Sequence, residues 1–282
     1  MKIVFMGTPD FAAPSLRSLA KSKHDVCLVI SQPDRAGNRG KMSMPIIKEI
    51  AIAENIPVMQ PERIKQNEEL MDVIKGINPD MIIVAAYGKI LPKELLDLPR
   101  FGCVNVHASL LPKFRGASPI QHAILTGETH SGVTIMKMAE GLDTGDMYSQ
   151  ASLEIAGYNY PELSERLAKL GAELLLKTMD DIESGKAHAE VQDETKATHT
   201  GIIKKEEGRV NFADESAIEI ERKLRAFTPW PGVYFELGDS KIKIKAVEVH
   251  NDIKPVEVDR PAEVIAANND GIDVICRKGV LR

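Results

Sequence analysis

Lys2-Ile3-Val4-Phe5-Met6-Gly7-Thr8-Pro9-Asp10-Phe11 opens the chain with an apolar run that stops at turn residues, and an amphipathic stretch over residues 14–22 follows. An uninterrupted apolar run of strand length reads as a strand buried on both faces, and a helix after it makes the first half of a strand-helix-strand unit. The same pattern continues outward from there. Residues 2–6, 25–31, 80–85 and 103–106 read as strands, with helices over 14–22, 46–54, 68–77 and 119–125. Two further strands, 133–138 and 147–155, flank a Gly/Asp-rich loop at 140–146, and a longer amphipathic helix over 162–183 closes the set. Strands alternating with helices predict an α/β domain on a mostly parallel sheet.

The composition changes after that helix. Residues 184–203 are polar, Thr-rich and aperiodic, so they read as an extended linker. Domains are therefore expected at 1–184 and 204–282, joined by a linker at 185–203. The second domain begins with a helix over 215–227 and continues in short runs at 233–237, 242–249, 262–267 and 272–277, which predicts a small antiparallel barrel of oligonucleotide-binding type.

With 282 residues, 43% of them hydrophobic, the chain can bury one large core or two ordinary ones. A formal net charge of −5 argues against a protein that coats nucleic acid through a broad basic face, and leaves room for a local basic element. No apolar run reaches the length of a signal core or a membrane span, so a cytoplasmic protein without membrane contact is expected. Cys27, Cys103 and Cys276 show neither CxxC nor Cys/His ligand spacing, which points to small core residues in a reducing compartment and to no metal site.

Gly7 stands where a dinucleotide enzyme would begin its glycine-rich turn. That template fails, because Met6-Gly7-Thr8-Pro9-Asp10-Phe11 holds one glycine, and Pro9 and Phe11 put bulk where backbone must approach a pyrophosphate. Two readings remain: a plain strand-to-helix turn with Asp10 as the N-cap, or a loop facing a ligand at the carboxyl edge of the sheet.

Chemistry concentrates on Gly102-Cys103-Val104-Asn105-Val106-His107. Side chains on a strand repeat every two residues, so Asn105 and His107 share one face at the strand's end. A hydrogen-bonded pair buried in the core is one reading of this spacing. A site is the other, favoured by the loop Ser109-Leu110-Leu111-Pro112-Lys113-Phe114-Arg115-Gly116 and by Asp143 in the turn Gly141-Leu142-Asp143-Thr144-Gly145-Asp146. Acyl transfer to an amine needs a donor for an oxyanion, an acceptor for the amine's proton and a proton for the leaving nitrogen. Asn and protonated His can donate to the oxyanion, and a nearby Asp can favour the protonated His or take the amine's proton.

Taken with Gln32-Pro33-Asp34-Arg35, Asn105-Val106-His107-Ala108-Ser109-Leu110-Leu111-Pro112 and Phe227-Thr228-Pro229-Trp230-Pro231, these segments make the sequence resemble the methionyl-tRNA formyltransferase family over nearly its whole length. The resemblance implies a Rossmann-like formyltransferase domain followed by an oligonucleotide-binding-like, tRNA-binding barrel. It implies 10-formyltetrahydrofolate as donor and the α-amine of methionyl-initiator-tRNA as acceptor; a monomer is expected. Asn105, His107 and Asp143 match the family's catalytic positions, and Ser109, Leu110, Leu111 and Pro112 match its folate-binding segment. The loop 35–41, in which Gly37 and Gly40 space Arg35, Arg39 and Lys41, reads from composition as a solvated turn. By resemblance it meets the acceptor stem of the tRNA, with Arg39 at a position the family keeps for that contact. Arginine suits the task, because its fork pairs with phosphate and its plane stacks on bases.

Other features stay open. Lys113 and Arg115 read either as an extension of this positive path or as solvent-facing cations, and Trp230 either as a packing anchor or as a stacking platform. Family members continue past the position of Arg282 through a final barrel strand, so a barrel truncated at its end is expected. Two rival functions are a folate-dependent N-formyltransferase acting on a sugar nucleotide, which would not need the basic loop, and a non-enzymatic RNA-binding protein.

Overall fold

The computed structural model describes residues 1–36, 42–155, 157–250 and 260–282. The chain divides into two compact units. Unit 1 comprises Met1–Pro119, Ser131–Leu153 and Ser164–Thr200, and unit 2 comprises Ile120–His130, Glu154–Leu163 and Gly201–Arg282.

The elements run in the order β1 (Lys2–Gly7), α1 (Ala13–Ala20), β2 (Asp25–Ile30), β3 (Arg35–Ala36), β4 (Met42–Ser43), α2 (Ile46–Ala53), β5 (Val58–Met59) and α3 (Glu68–Ile77). Then come β6 (Met81–Ala85), α4 (Lys93–Leu96), β7 (Cys103–His107), β8 (Arg115–Gly116), α5 (Pro119–Leu125), β9 (His130–Lys137), β10 (Met147–Glu154), α6 (Tyr160–Glu183) and β11 (His199–Thr200). The remainder is α7 (Ala217–Ala226), β12 (Val233–Leu237), β13 (Ser240–Ile244), β14 (Val249–His250), β15 (Val264–Asn268), β16 (Gly271–Ile275) and β17 (Val280–Leu281).

Unit 1 is built on a seven-stranded sheet of order β10-β9-β7-β6-β1-β2-β5. Strands β5, β2, β1, β6 and β7 are parallel, and β9 joins β7 antiparallel, so the sheet is mostly parallel as the alternation predicted. Ile3, Val4, Phe5 and Met6 are each fully buried, as are Met81, Ile82 and Ile83. A central strand covered on both faces has no wet side, which is why these runs are continuously apolar rather than alternating. Helix α3 shows how local chemistry sets an element's ends. The Asn67 side chain accepts from the Leu70 N–H at the start, Glu68 and Glu69 lie in the first turn, and Asn78 adopts the left-handed conformation at the close.

Asp10 does not cap α1, contrary to the sequence reading. Pro9 precedes a short 3-10 turn, Asp10–Ala12, and Ala12 stands at the N-cap of α1 without a side-chain hydrogen bond. Pro14 occupies the first turn, where its missing N–H costs nothing. Gly7 serves packing: an added Cβ would lie 2.8 Å from both Ala12 Cβ and Phe5 Cε1.

Residues 185–203 read from composition as a linker, and in the structure those up to Thr200 are packed within unit 1. Gln192 is buried, and β11 pairs in parallel with β8, His199 opposite Arg115 and Thr200 opposite Gly116. Polar residues without periodicity can lie in a folded body when their hydrogen bonds are made by a neighbouring loop.

Unit 2 carries α7, opened by a reciprocal capping box between Ser216 and Glu219. Its strands form an antiparallel pair, β12-β13, and an antiparallel sheet of order β14-β17-β16-β15. Phe212 and Phe235 meet edge to face with ring centroids 5.3 Å apart, over a core that includes Ile220, Phe227, Val233 and Val280. Trp230 is 57% exposed, so it is not the packing anchor that one reading made it. Several cations of this unit are paired with carboxylates: Lys223 with Glu215, Arg225 with Glu221 and Lys241 with Glu236. Among the described residues no helix is long and apolar enough to cross a membrane.

Candidate active site

β7 ends at the carboxyl edge of the parallel strands, the place where open α/β sheets hold ligands. Asn105 sits there half-buried, opposite Met136 of β9, and His107 is buried opposite Thr134. Among the described residues no hydrogen bond is made by the Asn105 side chain. The loop between β9 and β10 brings Asp143 to the His107 ring, with Nδ1 3.6 Å from Oδ2. The three residues read from sequence spacing and resemblance are therefore all in unit 1, and His107 and Asp143 face each other.

His107 Nε2 lies 3.0 Å from the backbone oxygen of Phe114. A carbonyl only accepts, so Nε2 carries a proton and donates there, and Nδ1 is left toward the carboxylate. When doubly protonated, the ring directs one N–H at each oxygen. Asp143 is fixed from the other side, since its Oδ2 accepts the Gly116 N–H at 2.8 Å. Gly116 has φ +111°, and a Cβ there would come within 2.3 Å of the Thr200 oxygen, so the position tolerates only glycine. Asp143 itself has φ +54°, a left-handed conformation that a residue other than glycine adopts at a cost.

Ser109, Leu110, Leu111 and Pro112 form a pinned loop after β7. Thr134 Oγ1 donates to the Ser109 oxygen at 2.7 Å and accepts the Leu111 N–H at 3.1 Å. Gln150 Nε2 donates to the Leu111 oxygen at 2.8 Å and to Thr134 Oγ1 at 2.9 Å. Ser109 Oγ donates to the Lys113 oxygen at 2.6 Å, which closes the turn. Leu111 is buried, whereas Leu110 and Pro112 are half-buried along the loop.

Arg115 is not part of a positive path. Its side chain is 1% exposed and its guanidinium grips Glu194 at 2.9 and 2.7 Å and Gln192 Oε1 at 3.0 and 2.9 Å. The Arg115 hydrogen bond holds the Glu194 carboxyl below its ordinary range. Cys103, at the start of the same strand, is a core residue whose thiol burial pushes up to about 12.

Of the basic loop, Arg35 lies in β3, which pairs with β4, Arg35 opposite Ser43. Arg39 and Lys41 lie outside the described residues. The loop's approach is anchored by Asp34, whose carboxylate accepts from Lys48 Nζ and Gln60 Nε2, each at 2.7 Å. Those bonds, led by the one to Lys48, hold the Asp34 carboxyl low. Sequence reasoning missed Phe114, Thr134, Gln150 and Gln192 as parts of the site. The first stood in the quoted loop, and the others carry no local pattern, since their partners are distant in the chain.

The formyl transferase family model matches residues 1–179, and the model of the formyl transferase C-terminal domain matches residues 202–282. A methionyl-tRNA formyltransferase of Marinobacter nauticus is 44% identical over 284 residues, a match covering 100% of this chain and 90% of that protein. The chain belongs to the methionyl-tRNA formyltransferase family. Likeness in fold reaches beyond the methionyl-tRNA formyltransferases. The crystal structure of WlaRD, a sugar 3N-formyl transferase, in the presence of dTDP and 5-N-formyl-THF, superposes with a TM-score of 0.71 at 19% identity, covering 100% of this chain and 96% of that one. HypX from Aquifex aeolicus, in complex with tetrahydrofolic acid, superposes with a TM-score of 0.64 at 18% identity, and this chain spans 43% of that longer one.

Proposed function

We propose that this protein transfers the formyl group of 10-formyltetrahydrofolate to the α-amine of methionyl-initiator-tRNA, giving N-formylmethionyl-tRNA for the start of translation. The observation that carries the reading is the Asp143 carboxylate facing the His107 ring, with the Asn105 amide, which has no partner among the described residues, two residues earlier on the same strand, in a member of this family. A folate-type donor is supported by the family and by the ligands of its neighbours in fold. The pinned loop Ser109 to Pro112 would hold it, and Leu142, 62% exposed beside Asp143, offers the apolar surface that a fused ring covers. The donor supplies an activated formyl carbon. Asn105, whose amide N–H groups have no partner among the described residues, donates to the formyl oxygen as the amine attacks and negative charge develops there. His107 turns its Nε2 proton from the Phe114 oxygen to the same charge. Asp143 takes the proton that the amine loses as the new C–N bond forms, and returns a proton to the donor nitrogen as the old C–N bond breaks.

Arg35, Arg39 and Lys41 are assigned to the tRNA, on resemblance and on the phosphate-pairing chemistry of arginine. Unit 1, which takes in residues 185–200 as well, would form the catalytic body, and residues 204–282 a tRNA-binding domain. A single chain holds all three catalytic groups, which suits a monomer, and the reaction belongs in the cytoplasm where translation starts. The test is formyl transfer from 10-formyltetrahydrofolate to charged initiator methionyl-tRNA. The intact protein should transfer, and His107→Ala should lose transfer while keeping tRNA affinity. No transfer by the intact protein refutes the function, and unchanged turnover in His107→Ala refutes the catalytic assignment.

A further inference from the structure

The strip 192–200 touches every piece of backbone that holds the His107 and Asp143 pair. Phe114, whose oxygen receives the His107 Nε2 proton, donates its own N–H to Thr198 Oγ1 at 2.8 Å. Gly116, whose N–H holds the Asp143 carboxylate, is paired with Thr200. Gln192 reaches the Asp143 loop directly: Nε2 donates to the Asp143 oxygen at 2.8 Å and to the Gly145 oxygen at 2.7 Å.

We propose that Gln192, clamped by Arg115, is a positioning residue for formyl transfer, fixing the Asp143 carboxylate beside His107. The inference rests on the formyl-transfer reading above. Gln192 is 4% exposed, and both ends of its amide are committed, the two N–H groups to the carbonyls flanking Thr144 and the oxygen to Arg115. Arg115 is in turn buried, with two further N–H groups on the Glu194 carboxylate. A guanidinium withdrawn from water persists where its donors are met, so this clamp has one geometry. Asp143 needs such a clamp, because its left-handed backbone lasts only where the surroundings over-determine it. Removing the two donors of Gln192 frees that backbone to relax, and the carboxylate then moves off the ring.

Gln192→Met keeps the length of the side chain and removes its donors, and Gln192→Glu keeps the acceptor for Arg115 and removes the donors. Both are assayed as full-length protein against wild type and Asp143→Asn, with thermal melting to establish folding. The expected result is a loss of kcat of roughly 10- to 100-fold in both Gln192 variants, the scale of a misplacement of about 1 Å, with KM for either substrate unchanged and the pH profile of kcat displaced. Folded Gln192 variants with wild-type kcat and pH profile, beside an inactive Asp143→Asn, overturn the positioning role alone. Variants that fail to fold at the assay temperature overturn it too, assigning Gln192 to stability. A wild type that transfers no formyl group overturns the underlying function instead.

Discussion

His107 and Asp143 share a single carboxylate oxygen with the Gly116 backbone: Oδ2 lies 3.6 Å from Nδ1 and accepts the Gly116 N–H at 2.8 Å. The N–H aims that oxygen while the ring faces it, and among the described residues no hydrogen bond is made by Oδ1. One oxygen is held by backbone and faces the ring, and the other has no hydrogen-bond partner among the described residues.

Asp143→Asn retains an oxygen for Gly116 and removes the charge. Turnover should fall by roughly 10²- to 10⁴-fold, the range of a lost general base, with KM for methionyl-tRNA unchanged. Steady-state kinetics at saturating donor measures this, and a rise in KM with intact kcat would assign Asp143 to binding instead.

Asn105→Ala removes an amide that has no partner among the described residues. Stability should therefore change by no more than about 1 kcal/mol, while kcat drops by roughly 10²- to 10³-fold, as for other lost oxyanion donors. Parallel urea melts and kinetics separate the two effects. A large loss of stability would place the amide in the core's hydrogen bonding.

Arg39→Ala should weaken use of tRNA and leave folate binding unchanged. If the guanidinium meets a phosphate, the slope of log affinity against log salt becomes shallower by about one unit. Filter binding across a salt series reads the slope, and fluorescence titration reads the folate. Equal loss of both ligands would show a folding defect.

Burial lowers the pKa of His24, which lies beside the Met1 ammonium, Lys23, Asp180 and Glu183. Its folded-state pKa is below its unfolded value of about 6.5, so the unfolded chain binds the extra proton first as pH falls. Stability should then decline as pH drops through about 6.5 and level off below the folded pKa. Urea midpoints from about pH 8 down to about pH 5 should fall more in wild type than in His24→Asn. Identical curves would show that His24 titrates alike in both states.

Much of unit 1 was readable in order along the chain. α3 and α5 fall on the expected residues, and β1, β6 and β7 within a residue or two, because their apolar runs answer to burial on both sheet faces. Asp10 was misread because an acidic residue before a helix is a good cap only if the helix begins directly after it, and a 3-10 turn intervenes. Strand-like stretches near 242–249 proved to be two elements, β13 and β14. Strand pairs β3-β4 and β8-β11 escaped notice, since two-residue strands leave no period to detect.

By itself the sequence determined the α/β order, the antiparallel character of the second unit and the shared face of Asn105 and His107. Each follows from local periodicity, which a chain carries within a few consecutive residues. Only the tertiary structure decided that His107 Nε2 meets the Phe114 oxygen, that Arg115 is buried against Gln192 and Glu194, and that a stretch read as linker braces the Asp143 loop. Those contacts join residues tens of positions apart, and a hydrogen bond's partner is chosen by where the backbone returns in space, which no local pattern encodes.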